Sequence, residues 1–200
     1  VHDGAADRQA QPGAGAPARP AHEINQAGVS RVFQTPEIFG DLTLVENVMI
    51  PAFGRRDGSF RLNGWNPVRH KGPIHQRAMD MLADVGLAGK ANDIASQLSR
   101  GDKRRLELAL CLVQEPKLLL LDEPTAGMAR ADTNNTIDLL RKIAERGITM
   151  VVIEHDMHVV FSLADRISVL AQGTVIAEDL PRNIKGNPKV QEAYLGGAHL

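Results

Sequence analysis

Apolar residues fall in three different rhythms along the chain, and each rhythm predicts a different kind of element. Residues 1–23 contain no Leu, Ile, Phe or Met and are dense in Ala, Gly, Pro and Gln. Such a stretch buries too little to order itself, so 1–23 is expected to be a disordered tail, with order beginning near Ile24. Residues 29–34 alternate apolar and polar side chains, as a short strand does, and Pro36 ends them. Residues 43–50 predict a short helix with Asp41 or Thr43 as cap. Between 53 and 73 the chain turns rich in Gly, Arg and Asn and predicts a loop. Helical spacing returns through Ala78, Leu82 and Val85 and stops at Gly86, a common helix terminator. A second helix is expected over 102–114, its apolar face formed by Leu106, Ala109, Leu110 and Val113.

Beyond residue 116 strands alternate with helices. Leu118–Asp122 is an apolar strand ending in acid, 132–145 a helix, Thr149–Ile153 a second apolar strand and 157–164 a helix. Segments 166–170 and 174–177 are joined by Gln172-Gly173, a hairpin signal. Uninterrupted apolar strands with helical crossovers imply an α/β fold with a parallel sheet covered on both faces. Four units are therefore expected: the tail 1–23, a largely helical unit 24–115, an α/β core 116–180 and a helical extension 181–200. In such sheets ligands sit beyond the carboxyl ends of the strands, which directs attention to the residues after 121 and 153.

Composition narrows the partners. Of the 200 residues 43% are apolar and 24% charged, with 23 basic against 24 acidic side chains. That balance creates no long-range field for nucleic acid or anionic lipid, so no nucleic-acid partner and no direct membrane insertion are expected. Apolar runs such as 118–121 and 150–153 are far shorter than the roughly 20 residues of a spanning helix. With no charged-then-apolar leader pattern, the expected compartment is the cytosol. The basic-aromatic stretch with Arg55, Arg56, Phe60, Arg61, Trp65, Arg69 and Lys71 could stack and neutralise a single strand, but it reads more simply as a solvated insertion. The lone Cys111 excludes an internal disulfide and reads as a small buried hydrophobe.

Four polar spots carry candidate chemistry. Asp122 and Glu123 are delivered side by side at the sheet's ligand edge, where one acid can hold Mg2+ and the other orient an attacking water. Ser99 and Gly101, in Leu98-Ser99-Arg100-Gly101-Asp102, open a helix whose free N–H groups and dipole favour an anion; Ser99 as a simple helix cap explains the same residues. His155, after the second strand, would stand beside the carboxylates if the two strands are neighbours, and a neutral imidazole there could hydrogen-bond a terminal phosphate. Gln34 follows the first strand and could contact magnesium or water. Each alone is weak.

Taken together and in this order, the four resemble the nucleotide-binding subunit of ABC transporters, from about residue 20 to 196. The resemblance implies a P-loop NTPase-like sheet with helices on both faces and an added α-helical subdomain. It implies ATP and Mg2+ as ligands. Gln34 is similar to the Q-loop glutamine that contacts metal, Ser99 and Gly101 to the family signature, Asp122 to the Walker B magnesium ligand, Glu123 to the general base and His155 to the switch histidine. Residues 126–129, Ala-Gly-Met-Ala, occupy the D-loop. Finer features, namely 28–34, Arg104-Arg105-Leu106-Glu107, Glu154-His155-Asp156-Met157 and Ala193-Tyr194-Leu195-Gly196, resemble the branched-chain amino-acid uptake ATPases. Such proteins work as head-to-tail pairs on an integral membrane permease, which implies a second ATPase subunit as partner and a peripheral place on the cytoplasmic face of the cell membrane.

Four departures qualify the resemblance. No Gly-rich loop ending in Lys-Ser or Lys-Thr occurs in the 200 residues, although that loop's amides and ammonium hold the phosphates in the family. The stretch before Pro20 is expected to lie outside the resemblance, as if the first strands were cut off or replaced. Arg100 and Asp102 stand for the more usual Gly and Gln of the signature, and Ala129 stands where many relatives carry Asp or Asn. This chain is therefore expected to bind ATP weakly and not to turn it over by itself. Two rival readings stay open: a degenerate subunit that completes a partner's site through its signature, and a soluble ABC ATPase of translation or DNA repair. A relic that no longer meets nucleotide is a third.

Overall fold

The computed structural model describes residues 20–32, 37–57 and 72–195. In chain order these form α1 (Ala21–Gln26), β1 (Val29–Val32), α2 (Leu44–Asp57), α3 (Pro73–Asp84), α4 (Arg100–Leu112), β2 (Leu118–Asp122), α5 (Arg130–Glu145), β3 (Thr149–Ile153), α6 (Met157–Leu163), β4 (Ile167–Ala171), β5 (Thr174–Asp179), α7 (Pro181–Lys185) and α8 (Pro188–Leu195). Two single 3-10 turns, Ala88–Lys90 and Ala95–Gln97, lead into α4.

Strands β1, β2 and β3 lie side by side in that order, all parallel. The register pairs Val32 with Leu121 and Asp122 with Ile153, so the chain leaves β2 and β3 at the same edge and almost the same height. One face is buried at β1 and β2 and half-buried at β3, where Met150 and Val152 pack against the core. Val32, Leu119 and Leu121 pack there into a single cluster with Leu44 and Val48 of α2, Leu82 of α3, Leu106 and Leu108 of α4, and Leu140 and Ile143 of α5. Truncating any of these leucines would cost about 2–5 kcal/mol. Because β1 and helices α2 to α4 share this core with β2 and β3, one core bridges the boundary expected at 115/116.

Cover of the sheet is uneven. On the other face, at β3, Val151 is 50% and Ile153 62% exposed. Among the described residues β3 pairs only with β2, so its outer edge and these two side chains find no neighbouring strand. The expected cover on both faces is thus fullest over β1 and β2 on one face, partial at β3 there, and open at β3 on the other.

Most predicted elements form where the periodicity puts them, and the differences have local causes. Helix α1 starts at Ala21, inside the expected tail, which limits that expectation to residues 1–19, outside the described residues. Helix α2 begins with a reciprocal cap: the Thr43 backbone N–H donates to Glu46 Oε2 (2.9 Å) and the Glu46 N–H to Thr43 Oγ1 (3.3 Å). It then runs through Pro51 to Asp57, where the pattern predicts a loop from 53. Val45, Val48, Met49 and Ala52 bury one continuous stripe across the proline, and that packing outweighs the missing hydrogen bond. Residues 58–71, the rest of the basic-aromatic stretch, lie outside the described residues. Gln172 and Gly173 both take positive φ (50° and 77°), joining β4 and β5 as an antiparallel hairpin. Cys111 is buried, and burial first, then the nearby Glu107 charge, pushes its thiol up to about 12.

Candidate functional site

The edge beyond β2 and β3 is built by the parallel ladder itself. The buried Leu119 and Leu121 pin β2 in register, and the ladder runs one step past its end, with the Glu123 N–H donating to Ile153 C=O at 2.9 Å. There the backbone turns sharply. Glu123 adopts φ 45°, the left-handed region that a non-glycine residue enters at a cost of roughly 1–2 kcal/mol. The turn is held by the Ala126 N–H on Glu123 C=O (3.1 Å) and the Met128 N–H on Thr125 C=O (3.2 Å). Its result is that Glu123 Oε1 lies 3.4 Å from His155 Nδ1. The imidazole is 72% exposed and the carboxylate 29%, so both face an open edge where a ligand can reach them.

Three side chains that sequence reasoning did not single out as site residues support this edge. Glu154 Oε1 accepts from the Thr125 Oγ–H (2.6 Å) and N–H (3.1 Å), while Oε2 accepts from the His155 N–H (3.2 Å). Arg104 of α4 donates through Nη2 to the Asp122 C=O at 2.8 Å and through Nη1 to Glu107 Oε2 at 2.7 Å; both charged side chains are only 5% exposed. Arg31 of β1 places Nη2 3.2 Å from Asp122 Oδ2. The signals were faint but present: opposite charges three apart in Arg104-Arg105-Leu106-Glu107, and an acid directly before His155.

Ser99 and Gly101 meet a different neighbourhood. Ser99 caps α4, its Oγ accepting from the Asp102 N–H at 3.2 Å, as the plainer of the two readings expects. Around Gly101 the nearest side chain is Asp132 at the start of α5, and the Arg100 guanidinium lies directly over Gly127. Gly127 has φ 68°, a backbone conformation that glycine adopts without strain. Asp102 in turn accepts from Lys90 Nζ at 2.6 Å. The structure thus brings Asp122, Glu123 and His155 together and sets Arg100 and Gly101, beside Ser99, against Gly127 and Asp132. Gln34 lies outside the described residues. Among the described residues no group of three His, Cys, Asp or Glu side chains could cage a metal, and no helix is long and apolar enough to cross a membrane.

Comparison with known proteins agrees with this geometry. The ABC transporter family matches residues 8–126, and a branched-chain amino acid ATP-binding cassette transporter family matches 174–200. The first match begins at residue 8, so residues 8–19, expected outside the resemblance, fall within it. The chain is 38% identical over 183 residues to the high-affinity branched-chain amino acid transport ATP-binding protein LivG of Salmonella typhimurium, covering 90% of this chain and 72% of that protein. It is 36% identical over 183 residues to BraF of Pseudomonas aeruginosa, with the same coverage. Among solved structures it is similar to MJ1267, an ATP-binding cassette of an ABC transporter in its ADP conformation, with TM-score 0.74 and 28% identity over 89% of this chain and 72% of that one. The dimeric post-hydrolysis cassette MJ0796, bound to ADP and Pi, gives TM-score 0.66 at 28% identity over 82% of this chain and 68% of that one. A family match over more than half of the 200 residues, relatives of this identity and coverage, and an acid pair beside a histidine at one sheet edge establish that the chain belongs to the ATP-binding cassette ATPases of ABC transporters.

Proposed function

We propose that this chain is an ATP-binding subunit of an importer for branched-chain amino acids, in which Glu123 and His155 form the hydrolytic pair. The observation that carries the reading is the 3.4 Å approach of His155 Nδ1 to Glu123 Oε1 at the ends of adjacent parallel strands. Glu123 is the base: its carboxylate orients the attacking water and accepts its proton. His155 is exposed enough to hydrogen-bond the terminal phosphate while its Nδ1 is held by Glu123. Asp122, a hard oxygen donor 31% exposed at the edge, fits Mg2+ held by one carboxylate together with Gln34 and the nucleotide's own phosphates. When bound, that ion neutralises charge on the phosphates. The Arg31 guanidinium now on Asp122 Oδ2 would have to yield that oxygen.

Ser99 and Gly101, at the open N-terminus of α4, complete the site of a second ATPase subunit rather than their own, and the pair acts on an integral membrane permease from its cytoplasmic face. The 200 residues contain no Gly-rich loop ending in Lys-Ser or Lys-Thr, so by themselves they hold the triphosphate weakly and turn it over slowly, if at all. The test mixes the purified chain with a full-length LivG-type subunit and measures Mg2+-dependent ATPase activity and ATP binding. Stimulated or altered turnover that changes with Ser99→Ala and Glu123→Gln supports the reading. A chain that hydrolyses ATP alone at a rate abolished by Glu123→Gln would overturn the dependence on a partner. No nucleotide binding in either setting would favour a relic.

A further inference from the structure

We propose that Glu154 is a positioning residue that sets the distance between Glu123 and His155. The inference rests on the hydrolytic reading of those two side chains but goes beyond it, because it assigns a function to a carboxylate that contacts neither the reacting atoms nor the metal.

Glu154 is the first residue after β3, and its carboxylate collects donors from both loops of the edge. Two come from Thr125, two residues past Glu123: the hydroxyl at 2.6 Å and the backbone N–H at 3.1 Å, both on Oε1. The third is the His155 N–H, at 3.2 Å on Oε2. Thr125 is buried, so its hydroxyl and N–H depend on this acceptor, and hydrogen bonds to a charged carboxylate are roughly twice as strong as neutral ones. The contacts close a small ring: Glu123, Pro124, Thr125, across to Glu154, on to His155, and back to Glu123. The ladder bond from the Glu123 N–H to Ile153 C=O braces the ring from the strand side.

Without the carboxylate, Glu123 keeps its place at the end of β2 because Leu121 and the ladder hold it. His155 does not. Exposed on a loop, and followed by Asp156, which caps α6 through the His158 N–H at 2.8 Å, it loses the bond that orients its backbone. Chemistry also separates the possible substitutes. A glutamine at 154 can still accept both Thr125 bonds through its amide oxygen, but its NH2 group cannot accept from the His155 N–H. A valine at 125 removes the 2.6 Å bond at nearly constant volume and spares the others.

The experiment is a coupling measurement on the full chain without nucleotide. With 13C-labelled histidine, and His155 assigned through His155→Gln, the Cε1–Hε1 resonance of His155 is recorded with and without Glu123→Gln. The shift caused by Glu123→Gln reports the proximity of the two side chains. It is then measured again in Glu154→Ala, Glu154→Gln and Thr125→Val backgrounds, as in a double-mutant cycle. We expect the response to fall about threefold or more in Glu154→Ala, and by less in the other two backgrounds. An undiminished response in folded Glu154→Ala overturns the proposal. If Glu154→Ala does not fold, undiminished responses in both Glu154→Gln and Thr125→Val overturn it, and a diminished response in either supports it. Because the readout needs no ATP, loss of the hydrolytic reading with an intact Glu154 effect would overturn that reading alone.

Discussion

The edge beyond β2 and β3 and the amino end of α4 both present polar groups to which the proposed function gives a role, yet they are built in opposite ways. At the first, two buried strands in fixed register deliver the residues, and charged side chains from three directions tie the edge: Glu154 to Thr125 and His155, Arg104 to the Asp122 carbonyl, Arg31 to its carboxylate. At the second, Ser99 is exposed and its hydroxyl oxygen serves as a helix cap, while Arg100 lies out over Gly127. The first region is pre-organised by its own chain, whereas the second faces outward, which suits the proposed role of completing a second subunit's site. A base that moves a proton needs its geometry fixed in advance, whereas a surface that closes on a partner does not.

Arg104 joins the two regions, since it sits on the α4 helix that Ser99 starts and holds the end of β2. Removing it should have the largest effect. Arg104→Ala leaves Glu107 charged and buried, with an expected loss of about 3–5 kcal/mol in urea unfolding, together with a weakened His155 response to Glu123→Gln. Full retention of that response would show that the acid edge stands without α4 and would break the link. Ser99→Ala comes next: it removes the α4 cap at a cost of about 1 kcal/mol and should leave the His155 response unchanged. A change there would mean that the two regions are not built independently.

The smallest effect is expected at a surface pair that serves as reference, Asp84 of α3 with Arg146 after α5, bonded twice at 2.5 and 2.8 Å. The Arg146 hydrogen bonds hold the Asp84 carboxyl below its usual range. A depressed folded pKa gives stability that is present above the unfolded value and lost as pH falls through the folded one. Asp84→Asn should therefore cost less than about 1 kcal/mol at pH 7, the pair being partly exposed. The gap to wild type should narrow in unfolding curves as the pH falls below the ordinary carboxylate range.

Local pattern carried much of the fold. The apolar runs of β2 and β3 lie where their composition puts them, and Gln172-Gly173 closes the hairpin because its backbone needs positive φ. Helix α2 runs past the end near residue 50 that the pattern predicts, because Val48, Met49 and Ala52 bury a stripe across Pro51, packing that only the folded core supplies. The open outer edge of β3 was not legible either: a run such as Met150 to Ile153 reads the same whether or not a neighbour covers it.

By itself the sequence marked which residues are candidates for the chemistry, since an acid pair after one apolar strand and a histidine after the next depend only on order and spacing. It could not determine that those strands are neighbours, that Glu123 takes a left-handed turn toward His155, or that Glu154 and Arg104 reach across to hold them. Those contacts link residues 18 (Arg104 and Asp122), 29 (Thr125 and Glu154) and 32 (Glu123 and His155) positions apart. Only the buried core that fixes β2 against β3 and α4 decides which distant side chains meet.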